Sequence, residues 1–266
     1  MKNLKFQYHL KIAFEQPVKN HRFTVKCVPK SDEKQQITNL KLSILPKESL
    51  SEEIDSFGNH CIFGSADEPH SLFEVVMSGE ARTGLADAVK AEETYRIGMF
   101  RSQSPLTIPG EAIRSLYQEL SFEESDNNRV KSQKIMELLR KHFTYVSGST
   151  GIHTKAEEAL EQGCGVCQDY SHIMISLCRM AGIAARYVVG MLIGEGLSHA
   201  WVEIEEDGFW YGFDPTNDKY AGDEHIKISH GRDYADCLLN QGLFTGDSRQ
   251  FQTISVQVEE IGETET

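Results

Sequence analysis

Residues 163–172 read GCGVCQDYSH, and they place two cysteines at the start of a predicted amphipathic helix. Apolar side chains recur behind them at helical spacing until Gly182, namely Tyr170, Ile173, Met174, Leu177, Cys178 and Ala181. A helix that begins at or just before Cys167 directs free backbone N–H groups and its positive dipole end toward that thiol. Both favour a thiolate, and the same N–H groups can receive an oxyanion. Cys167 is therefore the predicted nucleophile, and Cys164 lies outside the helix.

The elements around this helix predict an α+β domain. Helices are predicted before it over residues 109–120 and 128–142, and a short one from the Thr154–Glu157 capping-box pattern to Gly163. Strands are predicted after it over residues 184–193, 199–205 and 209–213, with Asp207-Gly208 as a turn. We expect the cysteine-bearing helix to pack on the antiparallel sheet that these strands form.

The first 85 residues predict β structure. Apolar and polar residues alternate from Leu4 to Ile12, residues 16–20 interrupt the alternation, and residues 23–28 form a returning strand. Further strands are predicted over residues 37–45, 60–65 and 71–80, and a last one over 254–258 ahead of an acidic tail. Short strands at this spacing indicate a small all-β sandwich. We therefore expect a sandwich domain over residues 1–95 and an α+β domain over residues 96–266.

The composition limits where the protein acts and what it binds. The chain has 266 residues and a net charge of −13, which disfavours binding to nucleic acid or to an anionic membrane surface. Its first residues alternate in polarity and lack the continuous apolar run of a secretory signal, and no run approaches the ~20 apolar residues of a membrane span. We therefore expect a cytoplasmic protein whose six cysteines are reduced.

A nucleophilic cysteine needs a base and a group that orients the base. His199 opens the predicted strand 199–205, and Asp214 follows the predicted strand 209–213, directly before Pro215. If the two strands pair antiparallel, both residues lie at one edge of the sheet, facing the helix that begins at Cys167. The arrangement predicts a Cys167–His199–Asp214 triad, with the histidine as base and the carboxylate as its orienting partner.

Three blocks of sequence resemble the core of the transglutaminase-like cysteine enzyme superfamily. They are residues 165–170 with 178–187, residues 199–203 and residues 213–217. Residues 1–80 are similar to the β-structured N-terminal region of bacterial members, and residues 231–236 to a C-terminal block of that subgroup. The resemblance implies a papain-like fold with Cys167 as nucleophile, His199 as general base and acid, and Asp214 as orienting carboxylate. Bacterial relatives commonly carry another residue at position 164, which implies that Cys164 is not catalytic.

Four further residues are candidates for the oxyanion site or for substrate contact: Gln168, Tyr145, Gln162 and Trp201. Gln168 follows the nucleophile directly. Tyr145 and Gln162 are upstream polar residues, of the kind that supplies a second oxyanion donor in papain-like enzymes. Trp201 stands two residues after His199, where packing is the alternative to substrate contact.

The two neighbouring cysteines allow other chemistry. A zinc site needs two more ligands, and no second C-x-x-C or H-x-x-x-H pattern is present in the sequence. Thioredoxin-type chemistry expects the motif directly after a strand, whereas here a predicted helix precedes it. We therefore expect no metal and no cofactor. A reversible disulfide between Cys164 and Cys167 that switches off the nucleophile is a further hypothesis.

The predicted function is hydrolysis of an amide bond in a peptide or protein substrate, by a cysteine peptidase or amidase that forms a thioester. The same residues support amine transfer by a protein-glutamine gamma-glutamyltransferase, which stays an alternative. A non-catalytic binding protein on the same fold is the second alternative, which the presence of all three triad residues disfavours.

Overall fold

The described residues, 1–91 and 97–262, form sixteen strands and four α-helices in a computed structural model. The strands of the N-terminal region are β1 (Lys2–Val25), β2 (Gln35–Leu45), β3 (Ser49–Ile54), β4 (His60–Ala66), β5 (His70–Thr83) and β6 (Ala88–Lys90). The helices are α1 (Glu111–Gln118), α2 (Asn128–His142), α3 (Ala156–Gln162) and α4 (Cys167–Met180). The other strands are β7 (Thr144–Tyr145), β8 (Cys164–Gly165), β9 (Ala185–Leu192), β10 (Gly194–Gly196), β11 (His199–Glu206), β12 (Phe209–Asp214), β13 (Lys219–Tyr220), β14 (His225–Gly231), β15 (Asn240–Thr245) and β16 (Gln250–Glu260).

The N-terminal β structure is organised by the long strand β1. Every second residue from Leu4 to Phe14 is buried, because alternate side chains of a strand point to the same face. The first part of β1 pairs with β5 and β16, and its last part pairs with β4 and β15. One strand therefore serves two sets of partners, and the apolar side chains of both parts meet in one core. The predicted all-β region is confirmed.

The predicted reversal of the chain at residues 16–20 is wrong. This segment remains part of β1, but the pairing register shifts between Ala13 and Val18 and again between Lys19 and Arg22. Pro17 cannot donate a backbone hydrogen bond, and Asn20 adopts a positive φ of 52°. Such residues favour bulges as well as turns. The segment therefore marks the place where β1 changes partners rather than a hairpin.

The C-terminal strands join the N-terminal β structure. β15 and β16 both pair with β1, and β10 pairs with β16. Conversely, strand β6 of the N-terminal region pairs with β12, which belongs to the sheet formed by the second half of the chain. The boundary placed between residues 95 and 96 lies outside the described residues, as does the end of the acidic tail, residues 263–266. The division into domains of residues 1–95 and 96–266 therefore stays a prediction.

The second half of the chain has the expected α+β architecture. Its sheet has the order β13-β12-β11-β9-β14, all antiparallel, and α4 packs against β11 and β9. Apolar side chains of α4 and of the sheet lie in one buried core. The predicted helix over residues 128–142 coincides with α2, and α1 lies inside residues 109–120. Within residues 1–91 and 97–262, no helix is both long enough and apolar enough to cross a membrane.

The predicted capping box at Thr154 is wrong by one residue. The cap of α3 is Lys155, whose backbone N–H donates to the Glu158 carboxylate at 3.1 Å. Glu157 instead accepts hydrogen bonds from the start of α1, from the backbone N–H groups of Gly110, Ala112 and Ile113 at 2.8, 2.6 and 3.1 Å. Its negative charge therefore stabilises the N-terminus of another helix. This contact is tertiary, and a local pattern cannot reveal it.

Candidate active site

The thiol of Cys167 stands at the first position of α4. The preceding residue, Val166, is extended and caps the helix, and its N–H donates to the Asp169 carboxylate at 2.8 Å. Asp169 also accepts a hydrogen bond from the Thr150 hydroxyl at 2.5 Å. The N–H groups of Cys167 and Gln168 belong to the first helical turn, whose donors have no intrahelical acceptor. They are therefore suited to hold an oxyanion beside the thiol.

Gly165 allows this close approach of the helix start to Asp169. A Cβ atom at position 165 would lie 2.5 Å from Asp169 Oδ2. The carboxylate is only 1% exposed, and its burial raises the pKa of Asp169 despite the hydrogen bonds from Thr150 and Val166. Gly165, two residues before Cys167, thus makes room for the carboxylate that fixes the helix start.

The histidine and the aspartate are brought together by a β-hairpin. β11 and β12 pair from Val202 opposite Phe213 to Glu206 opposite Phe209, and the turn residues Asp207 and Gly208 have φ values of 52° and 83°. Two successive positive φ angles are typical of a type I′ turn, which suits the twist of a hairpin. The predicted hairpin is therefore confirmed.

The same register extends to the strand ends that carry the predicted triad residues. It places Trp201 across from Asp214, and His199 two residues farther along the same face. A diagonal neighbour lies within reach of a long side chain. The His199 ring makes use of this spacing, since its Nε2 lies 2.8 Å from Asp214 Oδ2.

Asp214 is fully buried and receives five hydrogen bonds. Oδ2 accepts from His199 Nε2 at 2.8 Å, Asn217 Nδ2 at 2.7 Å and His225 Nε2 at 3.1 Å. Oδ1 accepts from the backbone N–H groups of Thr216 and Asn217 at 3.2 and 3.3 Å. Burial alone would raise the pKa of this carboxyl, but the hydrogen bonds from His199, His225 and Asn217 outweigh it and hold the pKa well below its usual range. Asp214 is therefore a fixed carboxylate.

The His199 ring lies between Asp214 and Cys167. Its burial lowers the pKa, but the hydrogen bond with Asp214 and the interaction with the Cys167 side chain outweigh burial and raise the pKa to about 9. Because Nε2 is bonded to Asp214, Nδ1 is the ring nitrogen available to the thiol. The protonated ring is therefore favoured at neutral pH, as a thiolate–imidazolium pair requires.

Of the four secondary candidates, Tyr145 is the one whose ionisation is influenced by Cys167. Burial and the neighbouring Cys167 together raise the pKa of Tyr145, whose side chain is half exposed. The Gln168 amide instead donates to the carbonyls of Gly151 and Ile152, both at 3.4 Å. The Gln162 amide donates to Ser149 O at 3.1 Å and to Cys164 Sγ at 3.4 Å. The amides of Gln168 and Gln162 thus hold the loop over residues 149–152.

Trp201 is 2% exposed, which leaves no surface for a substrate. It packs with Val188 and Ala221, meets the His225 ring edge-on at a centroid separation of 5.2 Å, and lies tilted beside the His199 ring at 6.4 Å. Its indole thereby limits the movement of both imidazoles.

His225 and Asn217 both donate to Asp214, and neither is among the site residues predicted from the sequence. Asn217 lies three residues beyond Asp214, in the block that carries the resemblance. His225 opens β14, and no local pattern connects it with the hairpin.

Three groups at the centre of the site have the composition of a metal site. His199, Asp214 and His225 each offer a ligand atom within 4.8 Å of the others. Both imidazoles are, however, bonded directly to the same carboxylate oxygen. Their hydrogen bonds account for the cluster without an ion.

A helix that begins with a cysteine and packs on an antiparallel sheet bearing a paired histidine and aspartate defines the papain-like class of α+β folds. Residues 114–215 match the family described as the transglutaminase-like superfamily, and residues 4–82 match the bacterial transglutaminase-like N-terminal region. The chain therefore carries a transglutaminase-like core preceded by that N-terminal region, and the resemblance is confirmed.

The comparison of structures agrees with this assignment. A protein of Cytophaga hutchinsonii, solved as a candidate cysteine protease, has a TM-score of 0.78 and 23% identity over 100% of this chain and 93% of its own. This likeness establishes the fold.

Two relatives in mycobacteria match part of the chain. An uncharacterized protein of Mycobacterium leprae is 38% identical over 117 residues, 40% of this chain, and one of Mycobacterium tuberculosis is 38% identical over 133 residues, 44% of this chain. The matched stretch spans 42% of each relative's length.

Proposed function

We propose that the protein is a cysteine hydrolase that cleaves an amide bond of a peptide or protein through a thioester on Cys167. The observation that carries the proposal is the 2.8 Å hydrogen bond between His199 and the buried Asp214, with Cys167 at a helix start on the other side of the ring. The Cys167 thiolate is the nucleophile, His199 the general acid and base, and Asp214 the carboxylate that orients the ring.

In the acylation step, the thiolate attacks the carbonyl carbon and a carbon–sulfur bond forms. The carbonyl oxygen becomes an oxyanion, which the N–H groups of Cys167 and Gln168 stabilise. The protonated Nδ1 of His199 then gives its proton to the amide nitrogen, the carbon–nitrogen bond breaks, and the amine leaves. Asp214 keeps Nε2 protonated throughout, so the ring loses its proton only from the side that faces the thiol.

In the deacylation step, the neutral His199 removes a proton from a water molecule, and the oxygen of that water attacks the thioester carbonyl. The carbon–sulfur bond breaks, the carboxylic acid product leaves, and the thiolate–imidazolium pair is restored. A primary amine in place of water would give transfer instead of hydrolysis, with the same residues in the same roles.

The proposal is tested with a mixture of peptides, including glutamine-bearing peptides, incubated with and without a labelled primary amine. We expect products that gain water and no label, and no reaction with Cys167→Ala. Cys164→Ala serves as the matched control and keeps the activity. Incorporation of the amine would replace hydrolysis by transfer, and equal activity of Cys167→Ala would overturn both.

A further inference from the structure

The hydrogen bonds of His225 define which of its nitrogens carries the proton. Its Nδ1 accepts from the backbone N–H of Gly222 at 3.3 Å, so this nitrogen is unprotonated. Its Nε2 lies 3.1 Å from Asp214 Oδ2, a carboxylate oxygen that can only accept. The ring is therefore neutral with its proton on Nε2, and it donates to the same oxygen that orients His199.

We propose that His225 is a positioning residue of the active site, and that the N-terminal β region holds it in place. The inference rests on the proposed function, because it assigns His225 and the N-terminal region a role at the same site. His225 touches Asp214 and not the reacting atoms. Its task is to fix Oδ2 of Asp214 at the point from which that oxygen can orient the His199 ring.

The segment that carries His225 is tied at both ends to the N-terminal region. On one side, Lys34 Nζ donates to the Ala221 carbonyl at 3.0 Å, and the Thr83 hydroxyl donates to the Asp223 carbonyl at 2.5 Å. On the other side, the buried Gln35 donates to the carbonyl of Lys227 at 2.9 Å and accepts from its N–H at 2.8 Å. Side chains of the N-terminal region thus fix the backbone on either side of His225.

The charges around His225 keep its ring neutral. Burial is the largest cause and lowers the pKa, Asp214 raises it, and the positive charges of His199 and Lys219 lower it again, with a lowered pKa as the result. His225 also lines a cavity of about 20 Å³ together with the charged groups Asp32, Lys34, Glu203 and Lys227. A neutral donor stabilises the carboxylate without competing for the proton of His199.

Loss of this donor would leave Oδ2 with two hydrogen bonds and an open space beside it. Oδ1 would keep its two backbone hydrogen bonds, but Oδ2 would be held less firmly, and the His199 ring would shift with it away from Cys167. In metal sites, loss of an outer partner that orients a ligand typically costs about 10–100-fold in activity, and we expect an effect of that order here. A role confined to stability would not change the reactivity of Cys167 in the folded protein.

Nitrogen NMR of wild-type protein labelled at histidine tests the proposal without any variant. At pH 7.5 we expect His225 to be neutral with its proton on Nε2. A proton on Nδ1, or a charged ring at this pH, would overturn the proposal.

The rate at which iodoacetamide alkylates Cys167 at pH 6 measures how far the position of His199 supports the reactivity of the thiol. This measurement requires no substrate. His225→Ala should slow this rate by about tenfold or more, whereas His225→Gln, whose amide can donate from a similar position, should stay within about threefold of the wild type. His230→Gln is the matched control, a second histidine on β14 that is remote from Asp214 in the hydrogen-bond network. Wild-type rates in His225→Ala would overturn the proposal.

A double-mutant cycle measures the contribution of the N-terminal region to the reactivity of Cys167. Gln35→Ala should slow alkylation, and it should have little further effect in the His225→Ala background, because both changes act through the same contact. Additive effects would contradict the proposed link between Gln35 and His225.

If wild-type Cys167 reacts no faster than Cys164, the proposed function itself fails. The protonation of His225 is still measured independently by NMR.

Discussion

Replacing Asp214 by asparagine should release the proton that His199 holds at neutral pH. The substitution keeps the size of the side chain and removes the charge that receives the ring N–H. Burial lowers the pKa of His199, and the hydrogen bond to Asp214 with the interaction of Cys167 raises it from 6.5 to about 9. Without the carboxylate, burial still lowers the pKa of His199, and only the interaction with the Cys167 side chain raises it.

The size of the effect follows from these two values. The net difference between 6.5 and 9 corresponds to about 3.4 kcal/mol, and because burial opposes it, Asp214 and Cys167 together favour the charged ring by more than this. At pH 7.5 a ring with a pKa of about 9 is about 97% protonated. A ring with a pKa of about 6.5 is about 9% protonated at that pH. Asp214→Asn should therefore move most molecules toward the uncharged ring.

A titration of the His199 ring by nitrogen NMR measures this directly. The midpoint should fall from about 9 in the wild type toward 6.5 in Asp214→Asn. The same titration of Cys167→Ser measures how much the thiol contributes to the raised pKa of His199. Asp207→Asn is the control, because it removes the same charge from the turn of the same hairpin, where asparagine tolerates the positive φ. A midpoint that stays near 9 in Asp214→Asn would refute the role of this carboxylate.

Three more predictions concern the surroundings of the site. Gly165→Ala should displace Asp169, because the new Cβ would lie 2.5 Å from its Oδ2, and it should slow thiol alkylation in protein that still folds by circular dichroism. Gly190→Ala should reduce the free energy of unfolding in urea by about 3 kcal/mol, since its Cβ would meet the Ile226 carbonyl at 2.2 Å, and an unchanged value would contradict the packing. The raised pKa of His199 should stabilise the fold below about pH 6.5, and this contribution should disappear as the pH rises through about 9. The difference in the free energy of unfolding between wild type and His199→Gln should therefore shrink over that range.

The positions of Cys167, His199 and Asp214 were predictable because each residue carries a local signal. A glycine-rich approach and an apolar stripe locate the start of α4, and an Asp-Gly turn locates the hairpin. Antiparallel pairing then determines which strand ends meet. The geometry of His199 and Asp214 therefore follows from elements that are short and regular.

The supporting contacts were not predictable, because they join segments that are distant in sequence. His225 reaches Asp214 across the irregular residues around β13, and Glu157 binds the start of a helix 44 to 47 residues earlier. The pairing of β15 and β16 with β1 joins opposite ends of the chain. In each case the partner is selected by tertiary packing, and the local sequence pattern is compatible with several partners.

Competition between Cys167 and Cys164 for a limiting amount of iodoacetamide at pH 6 shows whether His199 and the helix start activate one thiol over the other. Both thiols are half-buried and belong to one molecule, so peptide mapping by mass compares them under identical conditions. An activated thiol at the helix start should take up at least about tenfold more label than its neighbour, and His199→Ala should abolish that preference. Equal labelling of the two cysteines, or a preference that survives His199→Ala, would rule out a Cys167 thiol activated by His199.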